Sequence, residues 1–271
     1  MLYLVATPIG NLGDMTFRAV EVLKNVDYIL CEDTRHSLFL LKHYDIQKPL
    51  KSFHKFNESS KEDFLIEDLK NGKTVALISD AGTPAISDPG ERLVKRCHDE
   101  EIKVIPIPGA SAVITAICAS GLNTNHFQFC GFLPKKTKEV KAFLQEILNN
   151  TSTAICYESP KRLLNILKEI DILAPERNLT VARELTKKFE EIKRATASQL
   201  LQYWENCEIK GEIVLLIEGK KPSKETDFDT LSPKEHVQML QETYNLTKNE
   251  AIKMAASLRG VPKRTIYNKN L

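Results

Sequence analysis

The sequence predicts an α/β protein: two successive strand–helix units followed by a small all-helical tail. Three observations carry this. Short uncharged runs rich in Val, Ile and Leu alternate with longer amphipathic segments as far as Ile217, which is the pattern of βα units. The run Thr74–Ser79 carries no charge, as expected of a strand buried on both faces of a parallel sheet. Beyond Gly219 no strand-like run occurs.

The elements follow in order. Leu2–Ala6 reads as a buried strand, and the loop Thr7–Asp14 leads to a helix capped by Thr16 and running to Val26. Asp27–Cys31 is a second strand ending in Glu32-Asp33-Thr34-Arg35, with a helix to about Tyr44. Leu50–Phe53 is a third strand ending at His54, and Glu58–Asn71 is a helix closed by Gly72. After the Thr74 strand comes a loop holding Asp80, Gly82, Pro84, Ser87, Asp88, Pro89 and Gly90. It reads either as a ligand loop at a strand's carboxyl end or as a turn in which Asp88 caps a helix and Pro89 opens it. Glu91–Glu101 is helical and Lys103–Ile107 is the fifth strand.

The second unit begins with an apolar helix, Ser111–Ser120, ended by Gly121. Phe127–Phe132, Thr153–Tyr157, Leu179–Ala182 and Glu212–Ile217 read as strands, and Glu191–Ala195 as an antiparallel one. Lys138–Asn149, Ser159–Ile170 (Ser159 as cap, Pro160 next) and Ala197–Glu205 are helices. The expected divisions are 1–115, 116–220, a polar linker 221–231 and a tail 232–271. In the tail Thr247 caps a helix to Leu258. Gly260-Val261-Pro262 then turns into a second short helix, the helix-turn-helix pattern. Seven bases against three acids leave the tail four charges positive, where the whole chain has +2. That contrast points to nucleic acid as its partner.

Composition excludes several classes. At 271 residues, with 42% hydrophobic and 27% charged residues, the chain is a globular protein with a sizeable core. The apolar stretch near Ala110–Leu122 is too short to span a bilayer, and MLYLVATPIG enters a strand directly without a basic leader. No membrane association is expected. Six cysteines without a C-x-x-C pair fit reduced thiols and a cytoplasmic location. There is no P-loop, no G-x-G-x-x-G and no G-x-S-x-G, and the histidines show no metal-ligand spacing. What remains are short loops at strand ends, which at one edge of two sheets would line a single cleft. They suit a nucleoside-like, unphosphorylated cofactor.

The stretches ATPIGNLGD, CEDTR, SDAGTPAISDPG, PGASA, YESPKR, ARELTK and GEIVLLIEG, in this order, resemble the ribosomal RNA small subunit methyltransferase I family of the tetrapyrrole methylase superfamily. The resemblance covers nearly the whole chain, tail included. It implies two α/β domains of the tetrapyrrole methylase type with S-adenosylmethionine in the interdomain cleft. It also implies methylation of a cytidine ribose 2′-hydroxyl in the decoding region of small-subunit (16S) ribosomal RNA, with the assembled small subunit as partner. Cofactor contacts carried over fall on Pro8, Gly10, Ser79, Asp80, Gly82, Ile86, Ser111, Ala112, Tyr157, Glu184 and Leu185. No metal is expected. Dimerisation is common in the superfamily, so a homodimer is implied, although no stretch of this chain carries it. The alternative is a tetrapyrrole or other small-molecule methyltransferase, against which the loops TPIGNLGD and SDAGTP speak.

A ribose hydroxyl scarcely ionises near neutral pH, so a base or a cation that favours the alkoxide is needed. Asp33 is the expected base or base-orienter and Arg35 an RNA-phosphate or alkoxide partner, with Glu32 and His54 as further candidates. The competing reading is that Asp33 and Thr34 cap a helix and Arg35 balances the acids. The expected RNA grips are Lys161, Arg162, Lys187 and Lys188 beside the cleft, and Arg259, Lys263 and Arg264 in the tail.

Overall fold

The computed structural model describes residues 1–205, 207–221 and 231–268. The chain forms two compact units, Met1–Gly219 and Lys220–Leu271. The first holds two five-stranded sheets.

In the first sheet β1 (Leu2–Val5), β2 (Tyr28–Cys31), β3 (Leu50–Ser52), β4 (Val75–Ile78) and β5 (Val104–Ile107) are all parallel, in the order β3-β2-β4-β1-β5. The uncharged runs explain the two-sided burial. Val75 and Leu77 enter one core with Leu65 and Leu69 of α3 (Glu58–Lys70) and Leu93 of α4 (Glu91–Asp99). Ala76 and Ile78 enter the other with Leu23 of α1 (Phe17–Asn25) and Leu41 of α2 (Thr34–His43). Helices on both faces leave the carboxyl edge as the place for loops.

The second sheet is mixed. Its strands are β6 (Phe127–Phe132), β7 (Thr153–Glu158), β8 (Asn178–Arg183), β9 (Glu191–Thr196) and β10 (Ile213–Ile217), in the order β6-β7-β10-β8-β9. Only β6 and β7 are parallel; β10 runs against β7 and β8, and β9 against β8. One face packs on α6 (Thr137–Asn149), α7 (Pro160–Leu173) and α8 (Ala197–Trp204). The other face packs on α5 (Ala112–Ala119), together with Ile9 from the loop after β1. Those contacts join the sheets into one unit.

One expectation is corrected. Asp88 does not cap α4, because the N-cap is Gly90 at φ 126°. That conformation suits glycine, and it leaves Asp88 and Pro89 ahead of the helix. Thr16 does cap α1, accepting from the Ala19 N–H at 3.1 Å. The six cysteines are all free, with Cys118 and Cys207 exposed.

The described residues of the second unit form α9 (Pro233–Tyr244), α10 (Lys248–Leu258) and α11 (Lys263–Asn268) around a small core of Val237, Leu240, Ile252, Ala255 and Ile266. Capping boxes at Ser232 and Thr247 start the first two helices. Of the expected linker, 222–230 lies outside the described residues, as do 269–271 of the tail.

Candidate active site

The site grows from a contact between two strand ends. Thr7 follows β1 and Gly82 lies beyond β4, and their backbones exchange hydrogen bonds of 2.9 and 3.0 Å. Buried Thr7 donates its hydroxyl to the Ser79 carbonyl at 3.1 Å, and Ser79 donates its own to the Gly82 carbonyl at 3.0 Å. The Asp80–Gly90 loop is thus fixed at its root. Ala85 (φ 67°) and Ser87 (φ 64°) stand in the left-handed region, a strain of about 1–3 kcal/mol each that surrounding bonds must hold. Glu58 Oε1 accepts from the Gly90 N–H at 3.2 Å, and Lys55 Nζ donates to the Ser87 carbonyl at 3.3 Å.

The second sheet supplies the facing wall. Pairing β10 with both β7 and β8 sets Ile213 beside Glu158 and Arg183, and Val214 beside Tyr157 and Ala182. The ends of β7 and β8 and the start of β10 therefore meet at one edge. Between this edge and the first-sheet loops lies a cleft of about 510 Å³. Its apolar lining includes Ile9, Ile86, Leu185, Tyr157 and Phe132. Five carboxylates line it, Glu32, Asp80, Asp88, Glu158 and Glu212, with no lysine or arginine among the described lining residues. Burial, reinforced by the neighbouring Glu32, pushes the Asp88 carboxyl up to about 6.

The first 201 residues match the family model of tetrapyrrole (corrin/porphyrin) methylases. The ribosomal RNA small subunit methyltransferase I of Halalkalibacterium halodurans is 47% identical over 270 residues, covering 98% of this chain and 93% of that one. The chain belongs to the ribosomal RNA small subunit methyltransferase I family, within the tetrapyrrole methylases. Its Haemophilus influenzae relative of the same name is 45% identical over 274 residues, covering 100% of this chain and 96% of that one. Among solved structures a cobalt precorrin-4 methyltransferase superposes with a TM-score of 0.59 at 17% identity, over 80% of this chain and 94% of that one. Diphthine synthase does so at 0.60 and 14%, over 81% and 90%. At such identities these two show the fold alone.

Members of the family are methyltransferases that use S-adenosylmethionine, and the cleft fits that molecule. Its sulfonium and ammonium groups are positive, and the lining offers carboxylates. Its adenine is flat and apolar on both faces, and Tyr157, Ile9 and Leu185 offer apolar surface. The Gly82 backbone runs so close that a Cβ there would stand 3.3 Å from Ile9 Cγ2. The volume lies within the range of small-ligand sites.

Of the expected cofactor residues in this methyltransferase, Asp80, Gly82, Ile86, Ser111, Ala112, Tyr157 and Leu185 line the cleft. Pro8 and Ser79 are buried, and Gly10 is exposed. Glu184 is taken up by Lys187 Nζ at 2.9 Å and by the Glu212 N–H at 3.0 Å.

Of the expected catalysts only Glu32 lines the cleft. Asp33 caps α2 by accepting from the Arg35 N–H at 2.8 Å, and the Arg35 guanidinium bonds the same carboxylate at 3.1 and 3.3 Å. Those bonds hold Asp33 down at about 2, which makes it a weak proton acceptor. The expectation that Asp33 is the base is corrected on this ground. His54 turns to Asn57, whose amide lies 3.1 Å from its Nε2.

The expected RNA grips divide. Arg162 is engaged with the Leu133 and Pro134 carbonyls at 3.3 and 2.5 Å. Lys187 bonds Glu184 and Glu212; burial opposes its charge, but the two carboxylates hold it above its ordinary value. Arg259 bonds His236 Nδ1 at 2.9 Å and the Leu231 carbonyl at 2.7 Å. Lys161, Lys188, Lys263 and Arg264 are exposed. Residue patterns missed Phe132 and Gly211–Val214, which reach the cleft only through strand pairing. Glu158 stood within the YESPKR motif, but nothing local showed its side chain turning inward.

Proposed function

We propose that the chain methylates the ribose 2′-hydroxyl of a cytidine in the decoding region of small-subunit ribosomal RNA. The observation that carries this reading is the acid-lined cleft at the strand ends of a member of this family. S-adenosylmethionine supplies a methyl group made electrophilic by its sulfonium. Gly82, Ser111 and Ala112 hold it by close backbone approach, and Asp80 accepts from its amino or ribose donors. Positioning of the hydroxyl supplies part of the rate. Asp88 accepts the hydroxyl proton at its carboxylate, and such a base contributes about 10²–10⁴-fold. Its environment favours the role, since a carboxylate of about 6 takes a proton more readily than one of about 2.

Asp33 orients the β2 loop, its N–H donating to Asp80 Oδ1 at 3.3 Å. The Arg35 side chain, 90% exposed, meets RNA phosphate. Lys161 and Lys188 grip the backbone near the cleft, and the tail, acting as a helix-turn-helix, grips it elsewhere through Lys263 and Arg264. The reading includes two α/β domains divided near the start of α5, a cytoplasmic location and a homodimer. The exposed Phe17, Phe39 and Phe56 offer apolar surface to a second copy. Among the described residues no helix is long and apolar enough to cross a membrane. Displacement at a sulfonium needs no metal, so chelation by EDTA leaves the rate of pre-formed subunit methylation unchanged.

The test is calorimetric titration with S-adenosylmethionine, followed by tritiated methyl transfer to undermethylated small subunits. Binding with transfer to ribosomal RNA is expected. Binding without transfer would overturn the RNA substrate, and no binding would overturn the cofactor.

A further inference from the structure

Glu158 ends β7 and lines the cleft with its side chain only 2% exposed. Its Oε1 accepts from the Ser159 N–H at 2.6 Å. Its Oε2 lies 3.4 Å from Arg162 Nη2 but accepts no hydrogen bond among the described residues. Arg162 cannot turn to complete that bond without leaving the Leu133 and Pro134 carbonyls. A buried carboxylate oxygen in this state is costly unless a donor reaches it, and the cleft is the open side. Beside it Phe132 ends β6. Its ring is 66% exposed, lines the same cleft, and stands edge-on to Tyr157 with centroids 5.3 Å apart. An aromatic face at a cleft mouth next to an unsatisfied acceptor is the pairing that reads a base turned out of its stack.

We infer that Phe132 and Glu158 form a nucleobase subsite, in which the base stacks on Phe132 and its exocyclic amino group donates to Glu158 Oε2. The inference rests on the proposed function and deepens it, because it assigns the residues that select the base. Cytosine presents an amino group where uracil presents a carbonyl oxygen. The carboxylate accepts from the first and repels the second. Arg162 keeps the acceptor charged and Ser159 fixes its orientation, so the pair is preorganised for an amino-bearing base. The amino group of S-adenosylmethionine is the other N–H donor that could reach this oxygen, and the test separates the two.

The test uses the full chain and its Glu158→Gln variant, with small subunits reconstituted around RNA carrying either cytidine or uridine at the mapped target. Glutamine keeps the size and an acceptor but adds a donor that uracil can use. The preference for cytidine over uridine, as the ratio of kcat/KM values, is expected to fall on the order of 10- to 100-fold. The calorimetric Kd for S-adenosylmethionine is expected to stay constant. Phe132→Ala, at an exposed position, is expected to raise KM for subunits with the cofactor Kd unchanged, and it reports on the subsite should the buried variant fold poorly. An unchanged cytidine preference in a variant that binds cofactor normally would overturn the inference. So would a parallel loss of cofactor affinity in both variants, which would assign the pair to the donor. Transfer by the wild-type chain to neither RNA would overturn the function itself, and the inference with it.

Discussion

At the scale of the residue, Asp88 ties pH to both rate and stability. Its carboxyl sits at about 6 in the folded chain against an ordinary 3.8. The reaction uses the ionised form, so single-turnover methylation rises through about pH 6 and levels above it, and Asp88→Asn removes that limb with a loss of about 10²–10⁴-fold. Stability runs the other way. A folded value above the unfolded one means that the native state holds the proton more tightly between about pH 4 and 6. The contribution is full below that window and is lost as pH rises through it. Asp88→Asn should therefore be more stable than wild type at pH 8, by about 1–2 kcal/mol in urea unfolding, while being less active. A lower midpoint at pH 8 would show that Asp88 is stabilised rather than strained. Gly90 is a second single-residue test. A Cβ there meets Leu77 Cδ2 at 2.5 Å, at a φ of 126°. Leu77 is 1% exposed and cannot yield, so Gly90→Ala should cost about 2–4 kcal/mol by denaturant unfolding.

At the scale of the element, what was legible followed from local chemistry. The all-apolar run of β4 announced a central strand, and the strand sits between β1 and β2 with every residue at most 2% exposed. Thr16 and Thr247 announced helix starts because their side chains satisfy the first free N–H groups. Asp33 was legible as a cap as well as a catalyst, and its geometry decides for the cap. What was not legible depends on partners distant in sequence. Glu212 and Val214 reach the cleft because β10 pairs with β7 and β8 at once. Lys187 and Arg162 look like surface cations in sequence, yet acceptors from elsewhere in the chain take them up. The bond between Thr7 and Ser79 is of the same long-range kind, and it holds the two loops on which the cofactor rests. Thr7→Val keeps the shape and deletes the donor. It should cost about 1 kcal/mol of stability and weaken S-adenosylmethionine several-fold by calorimetry, with no change in the cytidine preference.

At the scale of the whole molecule, the two compact units divide the labour between cofactor and RNA. The cleft, its carboxylates and both sheets lie within Met1–Gly219. The second unit has a core of its own and a charge of plus four from Ser232 onward. Its Arg259 is used internally, whereas Lys263 and Arg264 on α11 are exposed. Phosphate contacts are sequence-independent and salt-steep, so the tail should supply grip rather than selectivity. Removing residues 220–271 should leave the Kd for S-adenosylmethionine unchanged, weaken binding to small subunits, and flatten the slope of log affinity against log salt. Lys263→Gln with Arg264→Gln should reproduce part of that, lowering the slope by about two from the loss of two phosphate neutralisations. The discriminating result is the pattern, not the size of any one loss. Cofactor affinity falling in step with RNA affinity would make the tail a structural support for the cleft. RNA affinity and salt slope falling while cofactor affinity holds would make it the part of the enzyme that finds its substrate.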